Sequence, residues 1–248
     1  MYDAAFRRTC LQELEQGSSL STVSRRHGVT RSTLREWRDN PENVPPIQCP
    51  QCQGAPLAAD SYSHLLGLYL GDGCLSACRR GVYMLRISCD ARYRRLVAEA
   101  VESISLVRPG VSVFKVTAPG VTVVQAYWKH WPCLFPQHGP GRKHERPIVL
   151  EDWQVRAVDE HPGPFLRGLF HSDGCRVTNW TVHPLRAGPK RYEYPRYFFS
   201  NQSADIIGIC TRTLDRLGIA WTMPRYNTVS VARRASVTLM DELIGPKS

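Results

Sequence analysis

The sequence predicts an α+β fold: a duplicated αββαββα unit with pseudo-twofold symmetry, behind a small all-α N-terminal segment. Three observations predict it. Two apolar, helix-like runs, "HLLGLYLGDG" at 64–73 and "FLRGLFHSDG" at 165–174, share a cadence that ends on an Asp followed by Gly. After each run, strand-like stretches and an amphipathic helix recur in the same order. Lys143 and Lys247 fall 71 and 74 positions after Asp72 and Asp173, in "GPGRK" and "GPK", although the chain has only five lysines. Spacing repeated at this scale signals internal duplication.

Residues 1–40 predict three helices. Ala5, Phe6, Leu11 and Leu14 give the first an apolar face, and Gly17 closes it. Ser18 or Ser19 caps the second, Gly28 and Val29 make a turn, and Thr30 caps the third. There Leu34 and Trp37 lie three apart on one face before Pro41. Val23, Val29 and Leu34 form the expected small core. Helix, short helix, glycine turn and helix is the helix-turn-helix layout, and the segment resembles such modules in transposases and bacterial regulators. Arg31, Ser32, Arg35 and Arg38 would look outward from the third helix, towards base edges and phosphates of a major groove. A plain packing unit with a solvated basic face is the competing reading. The coincidence of turn, cap and basic face favours DNA.

Residues 41–61, rich in Pro and Gln and without periodicity, read as a linker. They hold Cys49 and Cys52 at metal-ligand spacing. Tetrahedral zinc needs four ligands, and Cys74 and Cys78 are a weak completing pair, so zinc is not expected. The first repeat covers 62–144, with strands at 82–89, 111–117 and 121–127 and a helix at 91–106. A connector at 145–161 carries one helix. The second repeat covers 162–248, with strands at 175–183, 192–200, 219–223 and 228–233 and helices at 203–217 and 235–243.

On the two apolar helices, Gly67 and Gly71 lie four apart, and Gly168 and Ser172 take the same places. Small residues at that spacing let helix backbones approach closely, so the two helices are expected to pair. Leu65, Leu66, Leu68 and Tyr69, with Leu166, Leu169 and Phe170, would face the flanking sheets. Gly73 and Gly174 are expected to end the helices at positive φ. Pairing brings Asp72 and Asp173 together at helix C-termini, where the macrodipole and the second carboxylate both disfavour an anion. A divalent cation, Mg²⁺ or Mn²⁺, relieves both, with the carbonyls of Gly71 and Ser172 as further ligands. Carboxylates that hold metal beside a phosphodiester can activate water.

These two stretches resemble the paired motifs of single-chain LAGLIDADG homing endonucleases, and the resemblance covers roughly 62–248. It implies a saddle of two antiparallel sheets with strands in the major groove of double-stranded DNA. It implies metal-binding roles for Asp72 and Asp173, and it points to Lys143 and Lys247 as basic residues of the cleavage pocket. Arg79, Arg80, Arg86, Arg176, Arg196 and Arg225 are then expected groove or phosphate contacts. Leu70 and His171 stand where the family places its first Asp, and His171 is expected on the helix surface. Splicing signatures are lacking, which points to a free-standing protein.

The bulk composition agrees. The chain has 248 residues, 42% hydrophobic and 22% charged, as a globular protein does, and carries a net charge of +10. Such a charge favours a polyanionic partner. Arginine supplies 27 of the 32 basic residues, so genome composition is the competing cause. With no membrane span or signal-peptide core, the expectation is a cytoplasmic monomer with nine mostly reduced cysteines, no membrane partner and no small-molecule substrate. A metal-dependent DNA endonuclease is the first functional reading. A transcription regulator that only binds DNA is the second, and a structural helix pair is the third. Retention of both aspartates favours the first.

Overall fold

The computed structural model describes residues 2, 4–40, 49–185, 188–245 and 247, and the chain divides after Ala55 into two units. In the first, helices α1 (Ala4–Glu15), α2 (Leu20–His27) and α3 (Arg31–Asp39) enclose Cys10, Val23, Val29, Leu34 and Trp37. The caps are local. Ser19 Oγ accepts the Thr22 N–H at 3.1 Å, and Thr30 Oγ1 accepts the Thr33 N–H at 3.3 Å. Gly28 turns the chain at φ 65°, a left-handed conformation that glycine adopts without steric cost. Arg7 is buried and donates to the carbonyls of Trp37 and Asn40, meeting acceptors that the end of α3 leaves open. Most of the expected linker, 41–48, lies outside the described residues. A single turn, α4 (Pro50–Gln53), follows, with Cys49 buried and Cys52 exposed.

The second unit repeats itself. Its first half runs α5 (Ala59–Leu70), β1 (Gly73–Ala77), β2 (Tyr83–Asp90), α6 (Arg94–Val107), β3 (Val113–Ala118), β4 (Val121–Trp128) and α7 (Trp131–Leu134). After α8 (Asp152–Glu160), the second half runs α9 (Pro162–Asp173), β5 (Gly174–Leu185), β6 (Gly188–Ser200), α10 (Ala204–Arg216), β7 (Thr222–Arg225), β8 (Thr228–Val231) and α11 (Arg234–Leu243). The sheets have matching orders, β1-β2-β4-β3 and β5-β6-β8-β7, with every pair antiparallel. Strand β1 is absent from the expected set, because "GCLSA" offers one large apolar side chain and no alternation to count.

One face of each sheet meets the helices. In β2, Leu85, Ile87 and Cys89 are buried while Arg86 and Ser88 point the other way. In β6, Tyr197 and Phe199 are the buried pair. Alternation of this kind is what a sheet with one packed face requires.

Helices α5 and α9 pack backbone to backbone. A Cβ on Gly67 would lie 2.3 Å from the Phe165 carbonyl oxygen, and one on Gly168 would lie 2.2 Å from that of His64. The expectation for Gly73 and Gly174 is corrected: neither adopts positive φ. They are small for want of room instead. A Cβ on Gly73 would fall 2.4 Å from Tyr69 Cα, and one on Gly174 would fall 2.6 Å from the Phe170 carbonyl oxygen. In each half the chain passes there from helix to strand, after a two-residue turn in the first and directly in the second, and the strand must leave across the last helical turn.

Candidate active site

The close approach of α5 and α9 determines where the two acidic residues go. Asp173 is the last residue of α9, and Asp72 lies two beyond the end of α5. A Cβ on Gly71 would be 2.3 Å from Ser172 Cβ and 3.4 Å from Asp173 Oδ2, so the second carboxylate sits against the end of the first helix. Both carboxyls are pushed above the ordinary range. Asp72 reaches about 6, through the protein packed around it and then the charge of Asp173. Asp173 is raised by burial, which a hydrogen bond from Asn201 opposes.

A lysine stands at each helix end. Lys143 Nζ donates to the carbonyls of Tyr69, Leu70 and Gly71, the last at 2.7 Å. It thus supplies the cation that a helix C-terminus favours. Burial lowers it to about 8, against the pull of both aspartates. Lys247 Nζ donates to the Ser172 carbonyl at 3.2 Å and lies 5.4 Å from the Tyr93 ring centre. The carbonyls of Gly71 and Ser172, expected as metal ligands, therefore accept ammonium groups. Each of these carbonyl oxygens keeps a second lone pair, so they stand beside the carboxylates as oxygen donors open to a cation.

A cleft of about 520 Å³ opens beside Asp173 and is lined by Gly71, Cys74, Arg86, Lys143, His144 and Asn201, among others. Arg146 shapes its rim, donating to the carbonyls of Gln137, Pro140 and Gly141 in the loop that carries Lys143. Asn201 and Arg146 escaped the sequence reading. Neither belongs to a repeated motif, and Asn201 reaches Asp173 only through the pairing of β5 with β6.

The predicted DNA contacts divide. Arg86 lies on the open face of the first sheet, where its guanidinium donates to Ser76 Oγ at 3.0 Å. Arg196 pairs with Val177 and Arg225 with Thr228, on the open face of the second sheet. Arg176 is corrected. Its register partner is the buried Tyr197, and its guanidinium binds the Asp241 carboxylate at 2.7 and 3.0 Å, on the helix side. Arg79 and Arg80 sit on an exposed turn between β1 and β2. In the first unit Arg31, Ser32, Arg35 and Arg38 are all exposed on α3. His171, expected on the surface, is 3% exposed, and burial lowers it to about 4. Cys74 and Cys78 lie at β1 and just after it, with the Cys78 thiol donating to the Ser76 carbonyl. Among the described residues no helix is long and apolar enough to cross a membrane.

Comparison with known proteins gives a family match at the N-terminus: residues 1–47 match the helix-turn-helix family described as "Transposase". No curated protein matches the chain. Similar solved structures include mesophilic variants of the homing endonuclease I-DmoI, 13% identical over 76% of this chain and 91% of that one, with a TM-score of 0.47. The LAGLIDADG meganuclease I-AabMI bound to uncleaved DNA is 12% identical over 73% of this chain and 82% of that one, with a TM-score of 0.45. The homing endonuclease I-WcaI bound to its DNA recognition sequence is 12% identical over 79% and 85%, with a TM-score of 0.46.

Proposed function

We propose that this chain is a DNA-binding protein that cuts both strands of a specific double-stranded site in a divalent-metal-dependent hydrolysis. One observation carries the reading. Two helix-end carboxylates from the two halves are held together with a lysine at each helix end, beside open sheet faces that carry Arg86, Arg196 and Arg225. Carboxyls raised by the protein packed around them, Asp72 also by the charge of Asp173, fit a divalent cation, which would restore the ionised form of both. When bound, Mg²⁺ or Mn²⁺ supplies water activation and charge stabilisation at phosphorus.

The chain's own residues do the rest. Asp72 and Asp173 would hold the cations. Lys143 and Lys247 would offset the charge gathering on the phosphate oxygens, and Arg86, Arg196 and Arg225 would hold the flanking backbone. A water oxygen bonds to phosphorus as the bond to the leaving sugar oxygen breaks, and a proton ends on that oxygen. Residues 1–40, with Arg31, Ser32, Arg35 and Arg38 on α3, would be a second DNA-binding module. Both halves lie in one chain, so the working form is a monomer.

The test begins with sequences that the full chain selects from a random duplex library. A supercoiled plasmid carrying the selected site should be linearised in Mg²⁺, and Asp72→Asn and Asp173→Asn should each leave at least one strand intact. Tight binding without any cutting would replace the nuclease with a regulator.

A further inference from the structure

The first sheet carries a surface that the cutting reaction does not use. Its helix-facing side holds Leu85, Ile87 and Cys89 in β2 and Val124 and Ala126 in β4, all buried. Register places Met84, Arg86 and Ser88 opposite Tyr127, Gln125 and Val123, and Phe114 and Val116 opposite Gln125 and Val123, all on the other side. A sheet face left to water is ordinarily polar. Here Phe114 is 51%, Val116 50% and Tyr127 46% exposed, with Met84 and Val123 half-buried between them. The Phe114 and Tyr127 rings meet edge to face at 6.0 Å, so the patch is continuous. Among the described strand residues of this face, Arg86 is the one cation, and Asp90 at the border is bound to Arg92 at 2.7 Å.

The matching face of the second sheet is polar. Asn179 opposes Tyr194, Thr181 opposes Tyr192 and His183 opposes Lys190, so amide, hydroxyl, imidazole and ammonium groups stand in a row beyond Arg196. Such groups hydrogen-bond to base edges, which phenyl and isopropyl groups cannot do. What a major groove offers to an apolar side chain is the C5 methyl of thymine. The position suits that contact. Arg86 lines the cleft that takes in Asp173 and Lys143. In the order β1-β2-β4-β3, Phe114 on β3 lies two strands from Arg86 on β2, about 10 Å away at the usual strand spacing. A major groove is about 12 Å wide. A duplex whose backbone reaches Arg86 at the cleft thus lays its groove floor over Phe114, Val116 and Tyr127 and covers the apolar surface.

Resting on the DNA-binding reading above, we propose that the first sheet selects thymine. Phe114, Val116 and Tyr127 pack against thymine methyls, so the half-site under this sheet is rich in T·A pairs. These residues determine specificity and take no part in the hydrolysis. The half-site under the second sheet is chosen by hydrogen bonds and does not depend on methyl groups.

The experiment uses the full chain and the duplex site it selects from a random library, with binding measured in chelator so that cutting plays no part. One half of the selected site should be rich in T·A pairs. Replacing its thymines one at a time with uracil removes only the methyl and leaves pairing and charge alone. At each contacted position the replacement should weaken wild-type binding about fourfold, the worth of one buried methyl. Uracil in the other half should leave binding unchanged. Phe114→Ala and Val116→Ala should each bring at least one sensitive position to equal affinity for thymine and uracil, and Phe114→Leu should keep part of the difference. A merely structural Phe114 would lower the melting temperature and leave the uracil penalty in place. A T·A run chosen for its shape would show no uracil penalty at all. A face that meets another protein would leave the DNA affinity of every variant unchanged. Any of these three results overturns the proposal. A chain that shows the uracil penalty but does not cut in Mg²⁺ refutes the nuclease reading and upholds thymine selection, and a chain that selects no sequence overturns both.

Discussion

The two halves of the second unit share a backbone plan and diverge in polar support. In α5, every residue from Ser61 to Leu70 is buried, and the positions six and two before Asp72 are Leu66 and Leu70. In α9 the same positions, counted from Asp173, are Arg167 and His171. Arg167 donates to both Glu99 oxygens, at 3.0 and 2.6 Å, and to the carbonyl of Ile244, three residues before Lys247. The hairpins differ too: β1 and β2 have 5 and 8 residues, β5 and β6 have 12 and 13. What the halves share is what the helix pair needs sterically, namely small residues at the contact and glycine after Asp. What they do not share is how each carboxylate, lysine and loop is held. Symmetry here belongs to the backbone, and the side chains around it give each half-site its own chemistry.

The largest expected effect comes from attacking the shared feature. Gly67→Val or Gly168→Val would drive a side chain into a backbone carbonyl 2.2–2.3 Å away, with no rotamer to escape by. A loss of at least about 3 kcal/mol, or no folded protein, is expected in urea denaturation. Gly208→Ala in α10, whose Cβ would meet only Arg212 Nη1 at 3.6 Å, should instead gain up to about 1 kcal/mol from helix propensity. Equal behaviour of the two glycine classes would break the case that contact, not helix composition, fixes the pair.

Next comes Arg167, the polar support found only in the second half. Arg167→Met leaves the Glu99 carboxylate, 17% exposed, without its main partner. A loss of about 2 kcal/mol at neutral pH is expected. Burial pushes the Glu99 carboxyl up, but Arg167, with help from Arg95, holds it below the ordinary carboxylate range. A depressed acid contributes stability above its unfolded value and loses it as pH falls through the folded one. The difference between wild type and variant should therefore shrink as pH drops below the ordinary carboxylate range. Leu66→Met at the matching place should cost less than about 1.5 kcal/mol and show no such pH dependence.

How much of this was legible in the sequence depends on which residues carry it. Helix pairing was legible because it needs only small residues at fixed spacing, and the lysine at each helix end because its spacing from Asp repeats. The α3 face was legible because Leu34 and Trp37 mark the opposite side. Strand faces were harder. In β5, "GCRVTNWTVHPL" mixes polar and apolar residues on both faces, since most of the ribbon packs against nothing, and so Arg176 was assigned to the wrong side. Asn201 was invisible for another reason: its partner is 28 positions away and the contact exists only through register. Arg167 and His171 sit in the second motif in plain view, yet their partner Glu99 lies in the other half, which periodicity cannot supply.

The Arg176 correction can be sharpened by contrast with Arg196, two arginines of one hairpin on opposite faces. Arg176→Ala removes a half-exposed pair with Asp241 and should cost about 0.5–1 kcal/mol of stability while leaving DNA affinity unchanged. Arg196→Ala should leave stability unchanged, weaken DNA binding, and lower the slope of log affinity against log salt by about 1. Filter binding at several salt concentrations, beside melting curves, separates them. If both variants bind alike, the face assignment fails.

The smallest expected effect is electrostatic and bears on the unsupported carboxylate. Asp72, raised to about 6, binds a proton more readily folded than unfolded. Between its unfolded value and about 6 the native state therefore carries more protons, and stability should decline as pH rises across that window. Asp72→Asn should remove that slope and leave the metal-free protein slightly more stable at pH 7. The gain should be under about 1 kcal/mol, because Asp72 is exposed and solvent screens it. Asp173→Asn removes a half-buried carboxyl whose rise Asn201 opposes by donating to it, so its gain should be smaller still. Urea midpoints for both variants from pH 4 to 7, with chelator present, test the order. A larger gain from Asp173→Asn would mean that Asn201 does less for its carboxylate than a 2.6 Å hydrogen bond implies.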